Sequence, residues 1–202
     1  MNIVCLDLEG VLVPEIWVGL AEITGVEAFR ATTRDVPDYD ELMGMRLAEM
    51  DRRGLGLPDI QEVVARLEPL EGAREFLDGL RSRYQVVILS DTFYEFARPL
   101  MAQLAWPTLF CHTLDVEESG RIGGYTIRLA DHKRRTVAAF RDLNFRTTAA
   151  GDSYNDTGML SEADAGIFFR PPESIAAEFP QFPVTNDYNA LRQAVDAAFA
   201  GR

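Results

Sequence analysis

Short apolar runs alternate along this chain with stretches whose apolar positions recur at helical spacing. Ile3-Val4-Cys5-Leu6 comes first. Gln85-Val86-Val87-Ile88-Leu89, Thr147-Thr148-Ala149-Ala150 and Ala165-Gly166-Ile167-Phe168-Phe169 follow, and Pro183-Val184-Thr185 adds a last, shorter run. Runs of this length with little polar alternation read as strands buried on both faces of a parallel sheet. Between them Phe93, Phe96, Ala97, Leu100, Met101 and Leu104 fall on one helical face, and Val137 and Phe140 mark another. Asp187 to Ala200 is amphipathic, with Asn186 or Asp187 as its cap. The alternation predicts a doubly wound α/β core with a parallel sheet.

Two stretches break the pattern. Pro14 to Pro69 holds no convincing strand but three helical patterns, from about Glu15 to Thr24, Tyr39 to Arg53 and Pro58 to Leu67. A helical insertion directly after the first strand would lie over that strand's end as a lid. The expected division is a core of residues 1–13 and 70–202 with a helical cap of residues 14–69. Leu114 to Leu129, interrupted by Gly120, Gly123 and Gly124, predicts a β-hairpin projecting from the core.

Composition narrows the setting. A chain of 202 residues with 47% apolar content is long enough for one sizeable core. A net charge of −12 argues against nucleic acid or an anionic membrane as partner, because both call for basic surface. No run approaches the roughly 20 apolar residues of a membrane span. Nothing at the start resembles a signal peptide. Cys5 and Cys111 sit in apolar contexts and read as free thiols suited to a reducing cytoplasm. The acidic surface is compatible with a homodimer and does not demand one.

The candidate chemistry lies at the strand ends. Asp7-Leu8-Glu9 closes the first apolar run, and Gly151-Asp152-Ser153-Tyr154-Asn155-Asp156 closes the third. In open α/β sheets ligands bind at the carboxyl ends of strands, so two acidic ends suggest a cation site. Asp7, Asp152 and Asp156 are hard oxygen donors, and the two histidines, His112 and His132, offer little competition; such a set suits Mg²⁺. Taken alone, Gly151-Asp152 also reads as a turn and Asp156 as a helix cap. Ser90, at the end of the second run, reads both as a helix N-cap and as part of an anion site at a helix N-terminus. Lys133 opens another helix, but Lys133-Arg134-Arg135 reads equally as a solvated basic run. Arg46 shares a stripe with Leu42 and Met50, so it points inward and needs a partner.

With these residues assembled, the chain resembles the haloacid dehalogenase superfamily of phosphotransferases. Its four signatures appear in order as Asp7-Leu8-Glu9-Gly10-Val11-Leu12, Ser90, Lys133 and Gly151-Asp152-Ser153-Tyr154-Asn155-Asp156. The helical insertion is similar to the small cap of the phosphoserine phosphatase branch. Glu9 in place of the usual second aspartate, Gly10 in place of Ser or Thr, and Asp91-Thr92 in place of two glycines resemble the bifunctional phosphoserine phosphatase/phosphoserine–homoserine phosphotransferase subgroup. The resemblance implies that Asp7 is the nucleophile and Glu9 the general acid and base. It implies Mg²⁺ on Asp7, the Glu9 carbonyl and Asp152, with Asp156 one step behind. Ser90, Asp91 and Lys133 would bind the phosphoryl group, and Glu15, Arg46 and Asn155 the rest of phosphoserine, with homoserine as a second acceptor. Burial under the cap beside Asp7 would raise the pKa of Glu9 toward roughly 6–7.

Three other readings keep the same residues: a phosphatase for another small phosphometabolite, a phospho-accepting receiver module, and a catalytically silent Mg²⁺ or phosphate binder. A receiver module has its acceptor mid-chain in about 120 residues, whereas here the acid pair opens the chain and a lid follows.

Overall fold

Every residue of β1 (Asn2–Leu6) after the first is buried, as a central strand requires. The computed structural model describes residues 1–32, 35–36 and 38–200, so residues 33, 34, 37, 201 and 202 of the two expected segments lie outside it. Three helices follow β1: α1 (Ile16–Thr24), α2 (Tyr39–Arg53) and α3 (Leu57–Val64). Next come α4 (Ala73–Arg81), β2 (Gln85–Phe93), α5 (Tyr94–Gln103), β3 (Thr108–Val116) and β4 (Ile122–Thr126). The chain continues through α6 (His132–Asp142), β5 (Arg146–Gly151), α7 (Thr157–Glu162), β6 (Ala165–Phe169), α8 (Glu173–Glu178), β7 (Val184–Thr185) and α9 (Tyr188–Ala200).

The seven strands form one sheet in the order β4-β3-β2-β1-β5-β6-β7. All pairs are parallel except β3 with β4, which make the hairpin. Leu6 stands in register with Ile88 of β2 and Ala150 of β5, so the residues after Leu6 and Ala150 emerge side by side. The chain runs outward in both directions from β1, and the crevice at that point is where ligands bind in open α/β sheets.

Side chains alternate across the sheet, as a two-residue period dictates. Val4, Leu6, Ile88 and Ala150 join α1, α3, α4, α5 and α9 in one apolar cluster. Ile3, Cys5, Val87, Leu89 and Ala149 join α6, α7 and α8 in the other. The helical insertion is not packed as a separate body: Ile16, Leu20, Met43, Ile60 and Val64 belong to the first cluster. Cys5 and Cys111 are free and buried. No helix among the described residues is long and apolar enough to cross a membrane.

Three boundaries differ from the sequence reading. β2 runs on through Ser90 to Phe93, so Ser90 is not the cap of α5; that place falls to Phe93. Thr92 and Phe93 are strong strand formers, and they keep the backbone extended past the apolar run. The hairpin's first arm begins at Thr108, because the segment that enters the ribbon is also a parallel core strand against β2. α3 ends at Val64 instead of Leu67, its continuation reduced to tight turns at Arg66 and Leu67.

Candidate active site

Asp7 continues the β1–β5 ladder through its N–H to the Ala150 carbonyl (2.9 Å), which fixes it at the strand end. It is only 4% exposed. Its Oδ1 accepts from Leu8 N (2.8 Å) and lies 2.9 Å from Lys133 Nζ, while no described residue donates to Oδ2. Lys133 also donates to Asp156 Oδ1 at 2.8 Å and lies 3.6 Å from Asp91 Oδ2. Of the three basic residues, Lys133 is the inward one, and Arg134 and Arg135 are exposed. Asp156 is fully buried and commits both oxygens, Oδ1 to Lys133 and Oδ2 to the N–H groups of Asp152 (3.0 Å) and Ser153 (3.1 Å). That arrangement leaves no room for a side chain at residue 151, where a Cβ would stand 2.3 Å from the Asp156 carboxyl carbon.

Asp7, Asp152 and Asp156 each bring a carboxylate oxygen within 4.8 Å of the others. One ammonium faces these three acids, and two of them, Asp7 and Asp152, are held above their ordinary range. Burial and then Asp156 hold the Asp7 carboxyl well above its ordinary range, and the same two causes push Asp152 up to about 7. Burial pulls the Lys133 ammonium down, but Asp156, Asp7 and Asp91 outweigh it and leave it well above its usual value. Burial alone would raise the acids and lower the base, so it is the raised Lys133 that reports the excess negative charge. A cluster of hard oxygens short of positive charge fits a divalent cation such as Mg²⁺.

Glu9 is turned away from this cluster. Its Oε1 accepts the N–H of Ile16 at 2.7 Å, so a residue of the core caps the first turn of α1. Burial and then the Glu15 carboxylate push Glu9 up to about 8. The acid that raises it most is Glu15, at the N-cap of α1, with Asp91 after it, where the sequence had pointed to Asp7.

A cavity of about 1270 Å³ lies between core and insertion. Glu9, Asp91 and Asn155 line one side, and Glu15, Trp17, Tyr39 and Arg46 the other. Asp7, Ser90, Lys133 and Asp152 are not on its wall; Asp91 and Asn155 connect them to it. Arg46 is buried without a carboxylate partner among the described residues. Its guanidinium lies 4.2 Å over the Trp17 ring and donates to the Ala31 carbonyl at 2.7 Å, and its Nε has no hydrogen-bond partner. Burial lowers its pKa to about 10. Ser90 is buried beside Asp91, and its Oγ accepts from Thr92 N at 3.2 Å. Sequence reasoning did not single out Trp17, Tyr39, His112 or His132 for the site.

An aspartate-and-lysine cluster at the carboxyl ends of β1 and β5, under helices inserted after β1, defines a class. A family model described as a hydrolase, haloacid dehalogenase-like hydrolase, matches residues 1–164, and the chain belongs to that family. Among its relatives is "Phosphoserine phosphatase ThrH" of Pseudomonas aeruginosa, 62% identical over 193 residues, covering 96% of this chain and 94% of that one. A "Phosphoserine phosphatase" of Pseudomonas syringae pv. tomato is 59% identical over 193 residues, covering 96% of this chain and 81% of the relative. The fold is that of a phosphoserine phosphatase solved in apo form, with TM-score 0.74, 20% identity and coverage of 96% and 98%. A substrate-bound phosphoserine phosphatase complex superposes equally well, with TM-score 0.74, 19% identity and 97% of each chain covered.

Proposed function

We propose that this protein is a Mg²⁺-dependent phosphoserine phosphatase that carries the phosphoryl group on Asp7 and passes it to water or to homoserine. The observation that carries the reading is Asp7 itself: one oxygen is tied by Leu8 N–H and Lys133, and the other accepts from no described residue. The names of the relatives at 62% and 59% identity supply the substrate.

Asp7, the Glu9 carbonyl and Asp152 would hold Mg²⁺, which would supply charge neutralisation at the phosphoryl oxygens. Asp156 orients Lys133 and the 152–153 backbone and does not ligate, because both its oxygens are already committed. Asp7 Oδ2 attacks phosphorus, and the bond from phosphorus to the serine oxygen breaks. Glu9 gives that oxygen its proton. Since Oε1 accepts from Ile16, the proton resides on Oε2. Water or homoserine then attacks phosphorus, Glu9 takes back a proton, and the Asp7–phosphorus bond breaks to restore the carboxylate. Lys133 and Ser90, with the backbone at Asp91, hold the phosphoryl oxygens, where charge stabilisation dominates such reactions.

The helical insertion, residues 14–69, acts as the cap over the core of residues 1–13 and 70–202. Arg46 receives the substrate carboxylate, Glu15 its ammonium group, and Asn155 the neighbouring polar atoms. The test is to incubate the protein with phosphoserine and Mg²⁺, with and without homoserine, and to measure phosphate and phosphohomoserine together. Phosphate release supports the phosphatase, and phosphohomoserine the transfer; release of neither rejects the proposal.

A further inference from the structure

The cavity wall holds a second cluster of ionisable groups that the reaction above leaves unused. Asp91 Oδ1 lies 3.0 Å from Nε2 of His132, the first residue of α6. His112 of β3 brings its own Nε2 to 3.7 Å from the same oxygen, an electrostatic contact longer than a hydrogen bond. The two rings are buried and pack edge to face at 4.8 Å. Two imidazoles and a carboxylate with ligand atoms within 4.8 Å of one another have the composition of a transition-metal site.

The other side of the rings decides against a metal. The N–H of Arg128 donates to His112 Nδ1 at 3.3 Å. The Arg128 guanidinium faces His132 Nδ1 at 3.3 Å and reaches Thr136 Oγ1 at 3.4 Å. A peptide N–H and a guanidinium can only donate, so both Nδ1 atoms are acceptors and the ring hydrogens sit on Nε2. A cation at Asp91 would therefore meet N–H bonds instead of lone pairs. The second oxygen of Asp91 accepts from Asn155 Nδ2 at 2.8 Å and faces Lys133 Nζ at 3.6 Å, again an electrostatic contact. Each oxygen of this carboxylate therefore has one hydrogen-bonding partner and one further N–H or ammonium group within 4 Å. Burial pushes Asp91 up, yet Lys133 and the two imidazoles outweigh it and hold the carboxyl well below its usual range.

We infer that His132 and His112 are positioning residues for phosphoryl transfer: they hold Asp91, and Asp91 holds Lys133 and Asn155 at the phosphate end of the cavity. The brace joins four elements, since Asp91 belongs to β2, His112 to β3, His132 and Lys133 to α6, and Asn155 to the turn after β5. Among the described residues Asp91 is also the third carboxylate within 4 Å of the Lys133 ammonium, after Asp7 and Asp156. The role given to Lys133 rests on the proposed function, whereas the brace geometry does not.

The experiment compares wild type, His132→Phe and His132→Gln. Phe removes the N–H and Gln restores a donor. With phosphoserine and with an aryl phosphate alike, His132→Phe is expected to lower kcat about tenfold, the scale of one hydrogen bond to a charged group, with little change in KM. His132→Gln is expected to recover most of that loss. Full kcat in His132→Phe, or a His132→Gln variant as slow as His132→Phe, overturns the inference. Nitrogen NMR of the wild type reads the tautomers directly, because the chain has only 2 histidines. Nε2–H in both rings upholds the brace, while Nδ1–H in either ring, or Zn²⁺ replacing a ring proton, overturns it. Should the wild type hydrolyse neither substrate, the proposed function fails, and the tautomers decide the brace on their own.

Discussion

Gly10 and Asp152 occupy adjoining space: a Cβ on Gly10 would lie 2.4 Å from the Asp152 carboxyl carbon, and the φ of Gly10 is +74°. The residue that departs from Ser or Thr in the first signature is thus the one that lets an acid from β5's end reach the one at β1's end. Gly10→Ala should cost about 1–2 kcal/mol of stability from the left-handed backbone alone. By displacing Asp152 it should also weaken Mg²⁺ roughly 10–100-fold, the scale on which disturbed ligand placement is felt. Thermal melts with and without Mg²⁺ check both effects; an unchanged Mg²⁺ dependence removes Asp152 from the metal site.

Arg46 lies 4.2 Å over the Trp17 ring, with no salt bridge to an acid among the described residues. A charge held this way is available to an incoming carboxylate. Arg46→Ala should raise KM for phosphoserine by about 10–100-fold, the range for a charge-assisted hydrogen bond, and leave an aryl phosphate nearly unaffected. Equal effects on the two substrates would show that Arg46 does not read the carboxylate.

Glu9 titrates at about 8, pushed there by burial and Glu15. Below that pH it holds the proton needed by a departing serine, and above it that proton is gone. Accordingly kcat for phosphoserine should fall above pH about 8, while an aryl phosphate whose leaving group needs no proton should stay level. Stability carries the same sign. Glu9 and Asp152 (about 7) keep protons that the unfolded chain releases near pH 4, so native protein binds more protons in that window. The melting temperature of the metal-free protein should decline from pH 5 to pH 8.5, and Mg²⁺ should flatten the decline by letting Asp152 ionise.

Much of this site was legible because a charge that ends a buried strand is hard to explain otherwise. Asp7 follows four apolar residues, and Asp152 follows the glycine that ends β5. Lys133 was legible in principle. It stands four residues before Val137 and seven before Phe140, the face already read as apolar, whereas Arg134 and Arg135 lie off that stripe. The end of β2 was not legible, since Ser90-Asp91-Thr92 has a helix-start composition, and the register with β3 breaks after Leu89 and resumes only at Phe93. The Asp91–His112–His132 cluster joins residues far apart in sequence, and no local period marks it. α4, α7 and α8 were missed; the last two span six residues each, too few for a helical period to emerge.

The β3–β4 hairpin holds the insertion by its tip. Leu57 N donates to the Gly120 carbonyl at 2.8 Å, and Arg121 grips Asp51 with two hydrogen bonds of 2.9 and 2.6 Å. Both side chains are exposed, so Arg121→Ala should cost no more than about 1 kcal/mol of global stability. Its effect should appear locally, as faster hydrogen exchange at the Leu57 amide. Unchanged exchange there would mean that the backbone contact alone keeps the hairpin on the insertion.

The central claim is that Asp7 carries the phosphoryl group, and Asp7→Asn tests it most directly. The amide preserves the size of the side chain but replaces a nucleophilic oxygen with an NH₂ group. With phosphoserine and Mg²⁺, the variant should remain folded and release phosphate at least about 10³-fold more slowly than wild type, as loss of a nucleophile demands. Release at close to the wild-type rate would contradict the account.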